Sequence, residues 1–213
     1  MLVLFQGDSI TDCGRGRTDD PNLLLGQGYV FIVAARLRRN LASTGPSFVN
    51  RGVSGNRVSD LYGRWNEDAI SLAPDRLSIL IGVNDAWRSM KGQASGITDR
   101  FQGAYRLLLE ETREEMPGTG LILCEPFILN TGSPALKWGE WKARLDAYQS
   151  CVRGLAAEFD AVHVPVQGFL DRACAEAEPS YWLWDGVHPT AAGHQIIAEA
   201  WLAAVQASPL AIR

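Results

Sequence analysis

Short apolar runs alternate along this chain with longer segments in which apolar residues return every three or four positions. Leu2–Gln6, Ser47–Asn50, Leu77–Ile81, Leu121–Glu125 and Ala161–Val164 are mostly aliphatic or β-branched and bounded by Gly, Pro, Asp or Asn. They read as five strands. Between them the spacing predicts helices near 28–43, 57–72, 98–116, 138–158 and 190–206. The fourth shows the period most clearly: Trp141, Leu145, Tyr148, Val152, Leu155 and Phe159 make one stripe, with Lys142, Arg144, Asp146 and Arg153 off it. Repeated strand–helix alternation implies an α/β protein with a parallel sheet, helices on both faces and right-handed crossovers.

No internal repeat, low-complexity tract or long linker interrupts this order, so residues 1–213 are expected to form a single domain. In open parallel sheets, ligands bind beyond the carboxyl ends of the strands. Three clusters follow strands: Gly7-Asp8-Ser9, then Asn50–Asn56, then Gly82-Val83-Asn84-Asp85. A fourth, Trp184–Thr190, precedes the last helix and can reach the same edge.

Together these clusters contain the parts for acyl transfer. Ser9 can serve as nucleophile, His188 as its general base and Asp185 as the group that fixes the imidazole tautomer. The amides of Ser9 and Gly55, with the side-chain NH₂ of Asn84, can form an oxyanion hole. His163 and His188 both have an aspartate three residues upstream, Asp160 and Asp185. In a strand, positions three apart point to opposite faces, which disfavours the first pair. In the second, Gly186 permits a tight turn, and Pro189 and Thr190 suit a helix entry, so both side chains can turn the same way. His194, inside the last helix, is expected to be structural. Ser9 taken alone reads as a turn or capping serine, and the other three clusters turn that reading toward catalysis. Asp8 and Asp12 read as acceptors for backbone amides around that turn. Trp141 and Trp201 fall on helical stripes and read as core. Trp87 and Trp184 adjoin the polar clusters, where they can wall a small acyl pocket, face a sugar or mediate subunit contacts.

Gly7–Asp12, Gly52–Asn56, Gly82–Asp85 and Asp185–Pro189 resemble, in order, the four blocks of the SGNH (GDSL) hydrolases. Residues 13–15, 64–68, 84–88 and 184–189 add a finer resemblance to bacterial intracellular acetylxylan esterases. This resemblance implies a flavodoxin-like three-layer α/β/α sandwich with five parallel strands in the order 2-1-3-4-5. It also implies serine ester hydrolysis, with the nucleophile at Ser9, further oxyanion donors at Gly55 and Asn84, the acid–base pair at Asp185 and His188, and a homo-oligomer.

Composition narrows the partners. Lys+Arg 20 against Asp+Glu 24 gives a net charge of −4 with no basic stripe, which argues against nucleic acid as the main partner. No apolar run approaches the roughly 20 residues that cross a bilayer, and the first residues read as core strand instead of a leader, so a cytoplasmic location is expected. Cys13, Cys124, Cys151 and Cys174 lack metal-ligand spacing and read as reduced thiols, with no metal or cofactor expected. The expected function is a cofactor-free serine esterase that removes short acyl groups, chiefly acetyl, from a carbohydrate through an acyl-enzyme on Ser9. Two rivals stand beside it: a lysophospholipase or thioesterase acting on longer chains, and a non-catalytic sugar- or phosphate-binding module.

Overall fold

In the computed structural model, residues 1–18, 20–21, 23–92 and 98–213 are described. Five parallel strands form one sheet among them: β1 (Leu2–Gly7), β2 (Ser47–Asn50), β3 (Arg76–Leu80), β4 (Gly120–Cys124) and β5 (Val162–Val164), in the order β2-β1-β3-β4-β5. This is the α/β order that the resemblance implied. Strand register runs Phe5↔Asn50 on one side of β1 and Phe5↔Ser78 on the other.

The helices are α1 (Ser9–Asp12), α2 (Tyr29–Asn40), α3 (Val58–Tyr62), α4 (Trp65–Asp68), α5 (Val83–Met90), α6 (Thr98–Glu115), α7 (Gly132–Ala135), α8 (Trp138–Glu158), α9 (Val166–Ala173), α10 (Pro179–Trp182) and α11 (Ala191–Gln206). Helices α2, α9 and α11 pack together on one face, and α3, α6 and α8 on the other. On the first face, buried Phe5 meets Tyr29 edge-on at 5.8 Å and Trp201 at 5.4 Å. Each such aromatic pair adds about 0.5–1.5 kcal/mol beyond its buried area. The Trp201 indole N–H donates to Ser78 Oγ at 2.9 Å, so this ring is buried without an orphaned donor. On the other face Trp65 donates to Thr112 Oγ1 at 3.0 Å, tying α4 to α6.

The helix expected over 57–72 is instead three short pieces: α3, α4 and a 3₁₀ turn at Ile70–Leu72. Gly63 ends α3, and Arg64 leaves helical geometry (φ −128°, ψ 14°). Its guanidinium then donates to Asn56 Oδ1 and the Arg51 carbonyl, both at 2.9 Å. The polar contacts to the preceding loop outweigh a continued helix. That loop lies at the sheet's carboxyl edge.

The chain leaves β1 toward β2 on one side and later returns to β3 on the other. The crevice between the ends of β1 and β3 is therefore the topological switch point. The segments starting at Asp8 and Gly82 open directly from it.

Candidate active site

Ser9 begins α1 directly after the strand. Asp8 caps that helix, with its Oδ1 accepting the Ile10 amide at 3.0 Å, and Cys13 closes it in the left-handed region at φ 36°. One turn of helix between two caps holds Ser9 at the strand end. Buried Asn50 secures this turn to its neighbours, donating to the carbonyls of Thr11 and Leu25 and accepting the Gly52 amide. Asp12 accepts the Ser54 amide at 3.1 Å and pairs with Arg17 at 2.7 Å. Asp8 thus accepts an amide within the turn, whereas Asp12 reaches across to the loop after β2 instead.

The last loop folds back to this point. Ser9 Oγ lies 3.0 Å from His188 Nε2, and His188 Nδ1 lies 2.7 Å from Asp185 Oδ2. Gly186, at φ +87°, makes the turn between acid and base that a side chain would resist. Asp185 Oδ1 also accepts the amides of Val187 at 3.0 Å and His188 at 2.7 Å. Burial pushes this carboxyl up, but the two amides and the imidazole outweigh it and hold Asp185 below the usual aspartate value. An ionised Asp185 accepts Nδ1–H, which leaves the Nε2 lone pair facing Ser9.

Ser9 and Asn84 line the same cavity. Among the described residues, neither the Ser9 nor the Gly55 amide donates to an acceptor. Asn84, in the first turn of α5, uses one N–H on the Asn56 carbonyl at 3.1 Å and keeps the other. The next residue, Asp85, accepts the Val58 amide at 3.2 Å, so two adjacent side chains link the start of α5 to the glycine loop and to the start of α3 that follows it. Burial lifts both Asp8 and Asp85 to about 7, against the amide hydrogen bonds that each accepts.

Ser9, Asn84, Asp185 and His188 line a cavity of about 170 Å³, and Val83, Trp87, Ser133 and Val187 complete its wall. Trp87 is therefore in the pocket. Trp184 is not among the lining residues. It is 63% exposed, and its ring lies nearly parallel to that of His188, 23° apart with centroids at 6.2 Å.

The other histidines are engaged elsewhere. His163 lies 3.3 Å from Glu125, and Asp160 sits before β5 in the left-handed region at φ +55°. His194 accepts the Tyr29 amide on Nδ1, so its Nε2 carries the proton toward Cys13 Sγ at 3.2 Å and cannot take one from that thiol. Burial, with the nearby charge of His188, lowers His194 to about 4.

Residues 5–196 match the model of the GDSL-like lipase/acylhydrolase family. The chain belongs to that family. It is a carboxylic-ester hydrolase. An acetylxylan esterase from Geobacillus stearothermophilus is 37% identical over 209 residues, covering 94% of this chain and 91% of that one. A crystal structure of a candidate GDSL-like lipase from Parabacteroides merdae superposes with a TM-score of 0.92 at 40% identity, covering 97% of this chain and 96% of that one. A catalytic mutant of the Geobacillus stearothermophilus acetylxylan esterase, with a serine replaced by alanine, superposes with a TM-score of 0.84 at 35% identity, covering 96% and 93%.

Sequence reasoning did not find Ser133 as a wall of the cavity. It arrives from α7, a one-turn helix far from the four polar clusters, and no periodicity marks it. Among the described residues, no helix is long and apolar enough to cross a membrane.

Proposed function

We propose that this protein is a serine esterase that removes acetyl groups from carbohydrate esters such as acetylated xylo-oligosaccharides. The observation that carries the reading is the unbroken chain Ser9 Oγ–His188–Asp185 at 3.0 and 2.7 Å, opening into a cavity of only about 170 Å³. Similarity to an acetylxylan esterase over 94% of the chain supports the same substrate class.

Ser9 attacks the ester carbonyl while His188 Nε2 takes its proton. The carbonyl oxygen, as it gains charge, receives the Ser9 and Gly55 amides and the free N–H of Asn84; one such donor is worth roughly 2.7–4 kcal/mol of barrier. His188 then gives its proton to the departing sugar oxygen, which leaves an acetyl ester on Ser9. Water enters by the reverse route, and His188 deprotonates it as it attacks. Acetate leaves, and Ser9 regains its proton. Every step is acid–base or nucleophilic chemistry of these side chains. Trp87 walls the acyl pocket, and exposed Trp184, beside His188, offers a flat amphipathic face to the sugar.

The whole chain acts as one SGNH-type domain in this reading, in the cytoplasm and as a homo-oligomer. Large apolar side chains at the surface, including Tyr181 and Trp184, suit subunit contacts. Light scattering of the purified protein tests the assembly.

The deciding experiment is acetate release from acetylated xylo-oligosaccharides by wild type and by Ser9→Ala. Wild type is expected to release acetate, and the variant to fold normally and release essentially none. Retained turnover in Ser9→Ala overturns the nucleophile. Faster turnover of octanoyl than acetyl p-nitrophenyl esters by wild type overturns the short-acyl reading in favour of a long-chain lipase or thioesterase.

A further inference from the structure

We infer that Trp87 is the residue that sets acyl length: a fixed partition that ends the catalytic cavity short of a larger apolar trough behind it. The inference rests on the esterase reading above and concerns what limits its acyl group. Two cavities meet at this ring. The catalytic one measures about 170 Å³, and the second, of about 370 Å³, is lined by Met90, Lys91, Leu136, Lys137 and Trp141. Trp87 and Ser133 are the residues that both share.

The direction of the acyl group follows from the tetrahedral adduct on Ser9. Its oxyanion faces the Ser9, Gly55 and Asn84 donors. Its leaving oxygen must lie beside His188 Nε2, which protonates it. The acyl chain takes the remaining direction, away from the imidazole and along the start of α5. Trp87 stands one helical turn beyond Asn84, on the same face of that helix. An acetyl methyl ends before the ring. A longer chain runs into it.

The ring is braced from behind. Trp141 packs against it with centroids 5.2 Å apart, and Lys91 Nζ lies 5.2 Å from its centroid. Trp141 is itself buried in α8, so Trp87 has a rigid backstop. Past the partition, Met90, Leu136 and Trp141 supply apolar wall, with Leu136 86% exposed at the outer lip. Removal of the indole joins the two spaces.

The test is a series of p-nitrophenyl esters from acetyl to octanoyl, run on wild type, Trp87→Ala, Trp87→Leu and Trp87→Ala/Leu136→Asp. Each methylene that gains an apolar wall raises kcat/KM by roughly fourfold. The hexanoyl-to-acetyl ratio of kcat/KM should therefore rise at least about tenfold in Trp87→Ala, and less in Trp87→Leu. The added Leu136→Asp places a charge at the lip of the opened trough and should reverse most of that gain. Active serines are counted with a fluorophosphonate, so a loss of folded enzyme does not distort the ratio; Trp87→Leu carries the test where the alanine variant fails to fold. An unchanged ratio in enzyme with intact serines overturns the partition. So does a gain that Leu136→Asp leaves in place, because the chain then lies elsewhere. The wild-type profile and Ser9→Ala judge the esterase reading, whereas the change from wild type to variant judges Trp87.

Discussion

Asp185 holds His188 at two points: its Oδ2 lies 2.7 Å from the ring Nδ1, and its Oδ1 accepts the His188 backbone amide at the same distance. Because the Val187 amide shares Oδ1, the two carboxylate oxygens are not equivalent. An asparagine here would keep its carbonyl oxygen on the two amides, since only an acceptor fits there. Its NH₂ would then face Nδ1 and force that nitrogen to accept, leaving the proton on Nε2. His188 would present a donor to Ser9 where catalysis needs an acceptor.

Asp185→Asn is accordingly expected to fold as wild type and to lose up to about 10⁴ in kcat, the size seen for the aspartate of a serine-protease triad. Steady-state kinetics and a thermal melt check the two halves of this expectation. Asp185→Ala should lose stability as well, because the Val187 and His188 amides lose the acceptor they share. A small kinetic effect of the asparagine would show that His188 is oriented by something other than Asp185.

The pH dependence of stability should carry the mark of two buried acids. Burial raises Asp8 and Asp85 from 3.8 to about 7. Between those values the native protein keeps protons that the unfolded chain has released, so their contribution is greatest on the acidic side and is lost as pH rises toward 7. His194 acts in the opposite sense. Its fall from 6.5 to about 4 makes the unfolded chain the better proton binder, so its contribution is lost as pH falls through that window. Two acid shifts exceed one imidazole shift, and the lowered carboxyls of Asp60, Asp185 and Glu158 titrate below this range. Urea denaturation should show lower stability at pH 7.5 than at pH 5, by an amount on the order of a few kcal/mol. Asp85→Asn, which keeps an acceptor for the Val58 amide, should flatten that slope. A wild type more stable at pH 7.5 would show that these carboxyls ionise readily inside the fold.

The strands were legible because each is a short apolar run that turns polar where the sheet ends. Predicted and observed bounds agree to within a residue, and 138–158 is a helix as its stripe implied. Helix α5 escaped notice because its first turn holds Asn84 and Asp85, polar residues set by the site and not by helical amphipathicity, although Val83, Ala86, Trp87 and Met90 keep the spacing. Helix α9 follows Pro165 closely and is only eight residues long, too short for periodicity to separate it from a loop. The segment 57–72 failed for a different reason: Arg64 has the propensity of a helix former, but tertiary partners in the preceding loop claim its side chain. Ser9, Gly55, Asn84, Asp185 and His188 could be singled out because each sits where the topology opens, directly after a strand or before the last helix. Ser133 and the trough behind Trp87 depend on how α7 lies against α5 and α8, a relation between distant segments that no local pattern records.

Asn84 lets the proposed catalytic contribution be told from a structural one, because its side chain both bridges to the glycine loop and lines the cavity of Ser9. One N–H bridges to the Asn56 carbonyl; among the described residues the other has no acceptor, and the side chain lines the cavity that holds Ser9. Asn84→Ala removes both. The bridge is duplicated: Asp85 still accepts the Val58 amide, and Arg64 still donates to Asn56 Oδ1 and to the Arg51 carbonyl. The glycine loop should therefore stay in place, with a melting temperature lowered by no more than a few degrees, as expected for a loss of about 1 kcal/mol. In the proposed mechanism the oxyanion donor has no duplicate side chain, since the other two donors are backbone amides. Turnover is expected to fall by about 10²–10³ in kcat, with KM nearly unchanged, because the interaction strengthens only as the carbonyl oxygen gains charge. Asn84→Asp should be worse than alanine, as a carboxylate would stand against that charge. A variant that loses KM and melting temperature instead of kcat would assign Asn84 to the loop and leave the oxyanion to the two amides.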